Sequence, residues 1–183
     1  WINRLAADYV FDFGKLSDFY AGNPADASAW RDAIVRTRQF QRQRETVAAV
    51  LSAQQQRRGA PAESVAAAAR LRDPGTVAVV TGQQAGLFGG PLFTLLKAIT
   101  AIRLAERVRD EHGATAVPIF WIDSDDHDWD EVKSCGLLNA ELALLNVAVS
   151  DPPGANQRSV ARMTLDDSVG AAVQSREAGL PRT

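Results

Sequence analysis

A change in the apolar pattern at Thr76 constrains the fold more than any other feature of the sequence. The run 76–80, Thr-Val-Ala-Val-Val, is continuous and β-branched, which is typical of a strand buried on both faces. A glycine-rich loop over residues 81–90 follows, and the pattern then predicts a helix from Pro91 to His112. A second apolar strand covers residues 116–122. This order of elements favours parallel strands joined by a right-handed crossover, and hence an α/β fold.

Residues 1–72 are predicted to form an N-terminal helical segment. Aromatic side chains alternate with turn formers up to residue 25, which favours a short helix followed by an extended segment. Asp26 or Ser28 suits the N-cap of the next helix.

One long helix is predicted from Trp30 to about Gln56, and an alanine-rich helix over residues 62–72. The long helix would bury an apolar stripe of Trp30, Ile34, Val35, Phe40, Val47, Val50 and Leu51. Its opposite face is basic, and we interpret that face as solvated rather than bound to phosphate groups. The basic residues are Arg31, Arg36, Arg38, Arg42 and Arg44.

The C-terminal part is predicted to contain a β-hairpin and a helix. The segments 134–138 and 142–149 read as two strands about a turn, and Asp151 begins a linker. A short strand over 159–163 and a helix capped by Asp166 or Asp167 follow. We therefore divide the chain into a helical segment (1–72), a βαβ unit (73–132) and a hairpin with the start of an inserted segment (133–183). The chain has no initiator Met and stops after a helix-like stretch, so we expect a truncated sequence.

Composition excludes several classes of partner. The net charge is −2 and the isoelectric point is about 5.7, so attraction to nucleic acid or to anionic membranes is not expected. Apolar runs such as 142–149 fall well short of the ~20 residues that span a bilayer. Cys135 is the single cysteine, which rules out an internal disulfide within the chain and fits a reducing compartment. We expect a cytoplasmic location.

The glycine loop is the first candidate site, because ligands of open α/β sheets bind beyond the carboxyl ends of the strands. Four glycines would leave backbone N–H groups unobstructed, and the start of the next helix favours a phosphate or carboxylate. The spacing matches neither the P-loop nor the dinucleotide fingerprint, so a tight turn without a ligand is an equal alternative. The candidate residues are Gly82, Gly86, Gly89 and Gly90, the uncharged Thr81, Gln83, Gln84 and Thr94, and the cation Lys97.

The second candidate site is an acidic run from Asp123 to Glu131, with six carboxylates around His127. It could bind a metal, bind a substrate amine, or act as an acid and base with His127. A metal is the weaker option, because the chain offers no second histidine in a ligand pattern and no thiolate pair. The alternative is a capped loop in which Asp125 or Asp126 begins a short helix. Cys135 is interpreted as a buried strand residue rather than a nucleophile, and His112 as a helix C-terminal residue.

Two long blocks resemble one enzyme family. Residues 79–99 read VVTGQQAGLFGGPLFTLLKAI and residues 117–132 read VPIFWIDSDDHDWDEV. Their sequence, order and separation are similar to those of the bacillithiol biosynthesis cysteine-adding enzymes, the BshC family. The resemblance implies a partial Rossmann-like parallel-sheet core, similar to that of class I aminoacyl-tRNA synthetases, with an N-terminal helical segment and a C-terminal β-hairpin plus helix.

The resemblance also implies a reaction. A ligase of this family would join the carboxyl group of cysteine to the amine of glucosaminyl malate, with ATP as the natural cosubstrate and no assigned metal. The family has a helical coiled-coil region that supports homodimerisation, which would lie outside this chain. By analogy His127, Asp126 and Asp128 are the catalytic candidates. The binding candidates are Asp125 and the residues of the first site, which are Thr81, Gly82, Gln83, Gln84, Gly86, Gly89, Gly90, Thr94 and Lys97.

Two other functions remain open from the residues alone. One is a metal-dependent nucleotidyltransferase or phosphate-handling α/β enzyme that uses the acidic run. The other is a non-catalytic α/β binding module. Because the chain holds one βαβ unit of a larger core, we expect the isolated polypeptide to bind weakly and to be inactive as a ligase.

Overall fold

The computed structural model describes residues 2–179, and Trp1 and residues 180–183 lie outside that range. Strand β1 (Val77–Gln84) and strand β2 (Ala116–Asp123) pair in a parallel two-stranded sheet. Helix α5 (Leu92–His112) connects them. The predicted α/β fold with its strand, helix and strand is confirmed, and His112 is the last residue of α5 as predicted.

The chain divides into two compact units. Unit 1 comprises Trp1–Val79 and Ile102–Pro118, and unit 2 comprises Val80–Ala101 and Ile119–Thr183. The division of the sequence into segments 1–72, 73–132 and 133–183 stays a prediction.

Unit 1 contains most of the helices. They are α1 (Arg4–Phe11), a 3-10 segment (Phe13–Phe19), α2 (Ala27–Gln39), α3 (Arg44–Arg57) and α4 (Ala62–Arg70). The extended segment predicted after α1 is wrong, because the 3-10 segment takes its place. The rings of Tyr9, Phe13 and Tyr20 lie within 5.2–5.8 Å of one another, and their packing folds the chain back on α1.

The prediction of one helix from Trp30 to Gln56 is also wrong, because residues 40–43 separate α2 from α3. Phe40 is extended, with φ −76° and ψ 126°. The Arg42 guanidinium lies 5.2 Å from the centroid of the Phe40 ring and donates to the carbonyls of Thr37 and Phe40. These contacts satisfy carbonyl groups at the end of α2, where a glycine would more often stand.

The break explains why most of the predicted apolar stripe is exposed. Ile34 is buried, and Trp30 and Leu51 are half-buried. The prediction is wrong for the other four residues, Val35, Phe40, Val47 and Val50, each of which is more than 40% exposed. Two separate helices do not share one continuous face, and α3 instead buries Ala48 completely.

The arginines of the predicted basic face bind backbone carbonyl groups. Nε of Arg38 donates to the Gly75 carbonyl at 2.9 Å. Nη1 of Arg44 lies 3.0–3.1 Å from the carbonyl oxygens of Leu71, Asp73 and Thr76. The turn between α4 and β1 therefore accepts hydrogen bonds from cations of earlier helices, and the interpretation of a solvated face is wrong only for Arg44, which is half-buried.

We expect Arg44→Ala to lower the free energy of unfolding of the chain by about 2 kcal/mol, because carbonyl acceptors lose a charged donor. Arg57→Ala is the matched control, since Arg57 is exposed in the last turn of the same helix. Urea denaturation followed by circular dichroism measures both. Equal losses in the two variants would contradict the role of Arg44.

Unit 2 contains the predicted hairpin. Strands β3 (Ser134–Leu138) and β4 (Leu144–Ala148) are antiparallel, with Cys135 opposite Val147. The predicted strand over 159–163 is wrong, because a 3-10 segment (Val160–Arg162) stands there. Its N–H groups at Val160 and Ala161 donate to the carbonyls of Asp126 and Ser124 rather than to a strand ladder.

Two further helices complete unit 2, α6 (Trp129–Val132) and α7 (Ser168–Gly179). Asp166 accepts a hydrogen bond from the backbone N–H of Ser168 at the start of α7, one of the two caps predicted. The core of the unit contains Trp129, Val132, Val147, Val149 and Ala172. Among residues 2–179, no helix combines the length and the apolar character required to cross a bilayer.

Candidate substrate-binding site

Strand β1 is longer than the sequence pattern predicts. Strand β1 continues to Gln84, so residues 81–84 belong to the strand and not to the loop. The strand is also not buried on both faces along its length, because the Val80 side chain is 62% exposed. Gly82 is required where β1 approaches β2, because a Cβ atom there would lie 2.6 Å from the Trp121 carbonyl oxygen.

The glycine loop closes on itself. The N–H of Gly89 donates to the Gly86 carbonyl, and the N–H of Gly90 donates to the Leu87 carbonyl, both at 3.0 Å. A Cβ atom on Gly86 would lie 2.8 Å from the Cα atom of Gly90, which explains the glycine at this position. The expectation that the loop glycines offer unobstructed N–H groups is therefore wrong for Gly89 and Gly90.

Two apolar side chains anchor this loop. Leu87 and Phe88 pack against the core that contains Trp129. Phe88 adopts a left-handed conformation with φ 53°, and the Arg176 guanidinium lies 5.2 Å from the centroid of its ring. Because a residue with a side chain rarely adopts this conformation, burial of the ring offsets a local strain.

A chain of hydrogen bonds follows the end of β1. Nζ of Lys97 donates to Oε1 of Gln83 at 2.8 Å and lies 3.3 Å from the Gly82 carbonyl oxygen. Nε2 of Gln83 donates to Oε1 of Gln84 at 2.8 Å, and Nε2 of Gln84 donates to Oε2 of Glu131 at 3.2 Å. Since lysine is only a donor, it fixes the orientation of both amides, and the chain ends on a carboxylate.

A cavity of about 200 Å³ opens beside this hydrogen-bonded chain. Its walls combine side chains from the end of β1, the glycine loop, α5, α6 and β3. They are Gln83, Gln84, Gly86, Gly90, Pro91, Phe93, Glu131, Val132, Ser134, Cys135 and Gly136. The cavity lies wholly within unit 2.

Two carboxylates of the acidic run organise local backbone. Oδ1 of Asp126 accepts from the N–H groups of His127 and Asp128, at 2.6 and 3.2 Å. The bond from Asp128, the bond from His127 and the Gln84 amide together lower the pKa of Asp126. Asp128 caps α6 by accepting from the N–H of Glu131 at 3.1 Å. The expectation that Asp125 or Asp126 begins this helix is wrong by two residues or more.

The carboxylates further along are paired. Lys133 contacts Asp130 and Asp151, and these contacts lower the pKa of both acids. Asn156 donates to Asp130 and accepts from the backbone N–H of Trp129 at 2.7 Å. Partners supplied by the fold therefore reduce the charge repulsion that the sequence suggests for this run.

A pH dependence follows from Asp126. A lowered pKa in the folded state stabilises the fold above the unfolded value of 3.8, and that stabilisation is lost as the pH falls through the folded value. We expect Asp126→Asn to lose less stability than the wild type between about pH 5 and about pH 3.

Chemical denaturation at each pH measures this difference, with Asp125→Asn as the control for an exposed neighbour. If the wild type and Asp126→Asn lose the same stability on acidification, the hydrogen bonds to Asp126 do not favour its charged form.

The structure brings part of the predicted site together. The lining and its hydrogen bonds include Gly82, Gln83, Gln84, Gly86, Gly90 and Lys97, and Asp126 is not part of the lining. Thr81, Gly89, Thr94, Asp125, His127 and Asp128 do not line the cavity. His127 is exposed, and its imidazole makes no hydrogen bond within residues 2–179.

Seven residues of the cavity lining are not among the predicted binding residues: Pro91, Phe93, Glu131, Val132, Ser134, Cys135 and Gly136. Glu131 was identified only as a member of the acidic run, and Phe93 carried no signal apart from its place in α5. Cys135 was interpreted as a buried strand residue, and its side chain is half-buried on β3 at the cavity wall. In the part of the chain that the structure describes, no group of three or more His, Cys, Asp or Glu residues is placed to hold a metal ion.

Comparison with known proteins decides the family. Residues 2–183 match the family model described as "Bacillithiol biosynthesis BshC, N-terminal Rossmann-like domain". The chain belongs to the BshC family. The match extends over almost the whole chain, which confirms both the resemblance of the two motif blocks and the Rossmann-like core.

Curated relatives in the BshC family share the name "Putative cysteine ligase BshC". The relative from Salinibacter ruber is 37% identical over 180 residues, which cover 97% of this chain and 32% of that protein. The relative from Symbiobacterium thermophilum is 33% identical, with 98% of this chain and 31% of that protein covered. The relative from Koribacter versatilis is 41% identical, with 77% and 26% covered. The chain thus spans about a third or less of the length of these relatives.

Proposed function

We propose that this chain is the N-terminal, substrate-binding part of a ligase that joins the carboxyl group of cysteine to the amine of glucosaminyl malate in bacillithiol biosynthesis. The observation that carries the proposal is the family match over residues 2–183, together with relatives named as cysteine ligases. The cavity at the end of β1 supports it, because it lies where α/β sheets bind ligands.

The reaction has two chemical requirements. The carboxyl group of cysteine needs a leaving group, and the attacking amine must lose its proton. We propose His127 as the group that accepts this proton, because its exposed imidazole is free of hydrogen bonds within residues 2–179. Asp126 and Asp128 hold the backbone on both sides of His127 and act as positioning residues.

ATP remains our proposed cosubstrate, but the cavity does not fit a nucleotide. Its volume of about 200 Å³ is below the 300–1,000 Å³ that is common for ligand pockets. Two N–H groups of the glycine loop, which would otherwise be available to phosphate oxygens, are used within the loop. We therefore assign no part of the ATP chemistry to this cavity.

We further propose that the complete enzyme acts in the cytoplasm on small molecules and forms a homodimer through regions outside this chain. The net charge of −2 and the single cysteine support a cytoplasmic location without nucleic-acid or membrane partners. The greater length of the relatives leaves room for the coiled-coil region that the family resemblance implies. The isolated chain is expected to be inactive.

An omission assay tests the proposed function. The complete protein is incubated with cysteine, glucosaminyl malate and ATP, and the amide product is identified by its mass. Product is expected only when all three compounds are present. Absence of product from folded complete protein would overturn the substrate assignment. Product formed by the isolated chain would contradict its expected inactivity.

A further inference from the structure

The cavity of unit 2 has an uneven distribution of charge along its wall. Glu131 is the single carboxylate or cationic side chain among its lining residues. Within residues 2–179, Glu131 belongs to no ion pair, whereas Asp130 and Asp151 both contact Lys133. The carboxylate is thus available to a ligand that supplies its own positive charge.

The hydrogen bonds beside the cavity all run from Lys97 towards Glu131. Lys97 donates to Gln83, Gln83 donates to Gln84, and Gln84 donates to Glu131. Each side-chain amide therefore directs its N–H group towards the end of the chain at which the Glu131 carboxylate lies. The positive charge of Lys97 lies at the far end, where its ammonium also contacts the Phe93 ring at 5.0 Å. Oε2 of Glu131 accepts one amide bond, and the remaining acceptor sites of the carboxylate are those that a donor ligand would use.

The size and charge of the cavity restrict the ligand. About 200 Å³ suits a compact molecule and is too small for a nucleotide. An anionic ligand would meet the Glu131 carboxylate, and the loop N–H groups of Gly89 and Gly90 are already bonded. Glucosaminyl malate carries two carboxylates and one amine and is therefore a net anion, whereas an amino acid such as cysteine has one group of each charge. A small amino acid with a free α-ammonium group meets all of these conditions.

We propose that Glu131 binds the α-ammonium group of the amino-acid substrate, with Gln83 and Gln84 as the positioning residues that hold the carboxylate. This inference rests on the proposed function for the identity of the amino acid, which is cysteine. The cavity selects for the ammonium group, and Cys135, Phe93 and Val132 form the wall on which the rest of the amino acid packs.

The test measures binding to the complete protein by titration calorimetry, with wild type, Glu131→Gln and the control Glu141→Gln. Glu141 is exposed in the turn of the hairpin and does not line the cavity. The probes are L-cysteine and 3-mercaptopropionate, which lacks the amine. We expect Glu131→Gln to weaken L-cysteine binding about tenfold or more, because a charge-assisted bond is lost. Its affinity for 3-mercaptopropionate should be no lower than that of the wild type, because this probe is an anion and the variant removes the carboxylate that would repel it.

A second measurement does not depend on the Glu131 variant. S-methyl-L-cysteine should protect Cys135 of the wild-type protein from alkylation, as read by mass spectrometry of its peptide, and inorganic phosphate should not. Equal L-cysteine affinity in wild type and folded Glu131→Gln would overturn the inference, as would protection of Cys135 by phosphate alone.

The two proposals fail in different ways. If the wild-type protein forms no amide but binds L-cysteine through Glu131, the ligase proposal is wrong and the assignment of the cavity stands. If amide forms and the KM for cysteine is the same in wild type and Glu131→Gln, the assignment of the cavity is wrong and the ligase proposal stands.

Discussion

The Trp129→Ala variant is expected to lower the free energy of unfolding by about 3–5 kcal/mol, the range for removing a buried tryptophan. Trp129 is 3% exposed and lies in the core of unit 2 with Val132, Val147 and Ala172. Its indole Nε1 also donates to Asp151 at 2.9 Å. The substitution would leave a cavity beneath the glycine loop, and Asp151 would lose its indole donor while keeping its contact with Lys133.

Trp121→Ala is the matched control for this substitution. Trp121 belongs to the same unit but is 64% exposed, so its removal should change stability by no more than about 0.5 kcal/mol. Urea denaturation followed by circular dichroism gives both values. Losses of similar size in the two variants would show that Trp129 is not the centre of the unit 2 core.

Gly82→Ala is the second substitution with a large expected effect, a loss of about 3 kcal/mol through overpacking. The new Cβ atom would lie 2.6 Å from the Trp121 carbonyl oxygen and 3.1 Å from the Trp121 Cβ atom. Because the nearest of these atoms is backbone, β1 and β2 must separate to accept it. The Gly82 carbonyl would move with them, away from Lys97.

Gly170→Ala is the control, and we expect it to raise the free energy of unfolding instead of lowering it. Gly170 lies within α7, and an added Cβ atom would meet no heavy atom within 4 Å. Alanine should therefore stabilise the helix by about 0.5–1 kcal/mol. Thermal unfolding separates the two glycines, and a neutral effect of Gly82→Ala would mean that the strands are not in close contact at that residue.

Sequence periodicity predicted the elements whose signals are local. The bounds predicted for β2, α4, α5 and the hairpin are close to those observed, because turn formers such as Gly113 and Asn139 delimit them, whereas β1 ends four residues later than predicted. The break at residues 40–43 was missed because no glycine or proline marks it. The break depends on the hydrogen bonds that the Arg42 guanidinium donates to the carbonyl groups of Thr37 and Phe40.

The sequence pattern predicts where the cavity lies better than it predicts the groups that line it. Gln83, Gln84 and Lys97 were singled out because they follow a strand, which is a rule of topology. That Gly89 and Gly90 use their N–H groups within the loop depends on backbone geometry, which the spacing does not reveal. Glu131 joins the cavity because α6 begins at Trp129 rather than nearer Asp125, and a shift of a few residues decides which carboxylate meets Gln84.

If residues beyond β2 perform the chemistry of the proposed cysteine ligase, kcat for amide formation must depend on His127, and the His127→Ala variant of the complete protein measures this. His112→Ala is the control, since His112 ends α5 in the other unit. We predict that His127→Ala lowers kcat about a hundredfold or more, as expected for loss of a general base, with its fold and its cysteine affinity retained. Equal kcat in wild type, His112→Ala and folded His127→Ala would show that His127 is not the general base of the reaction.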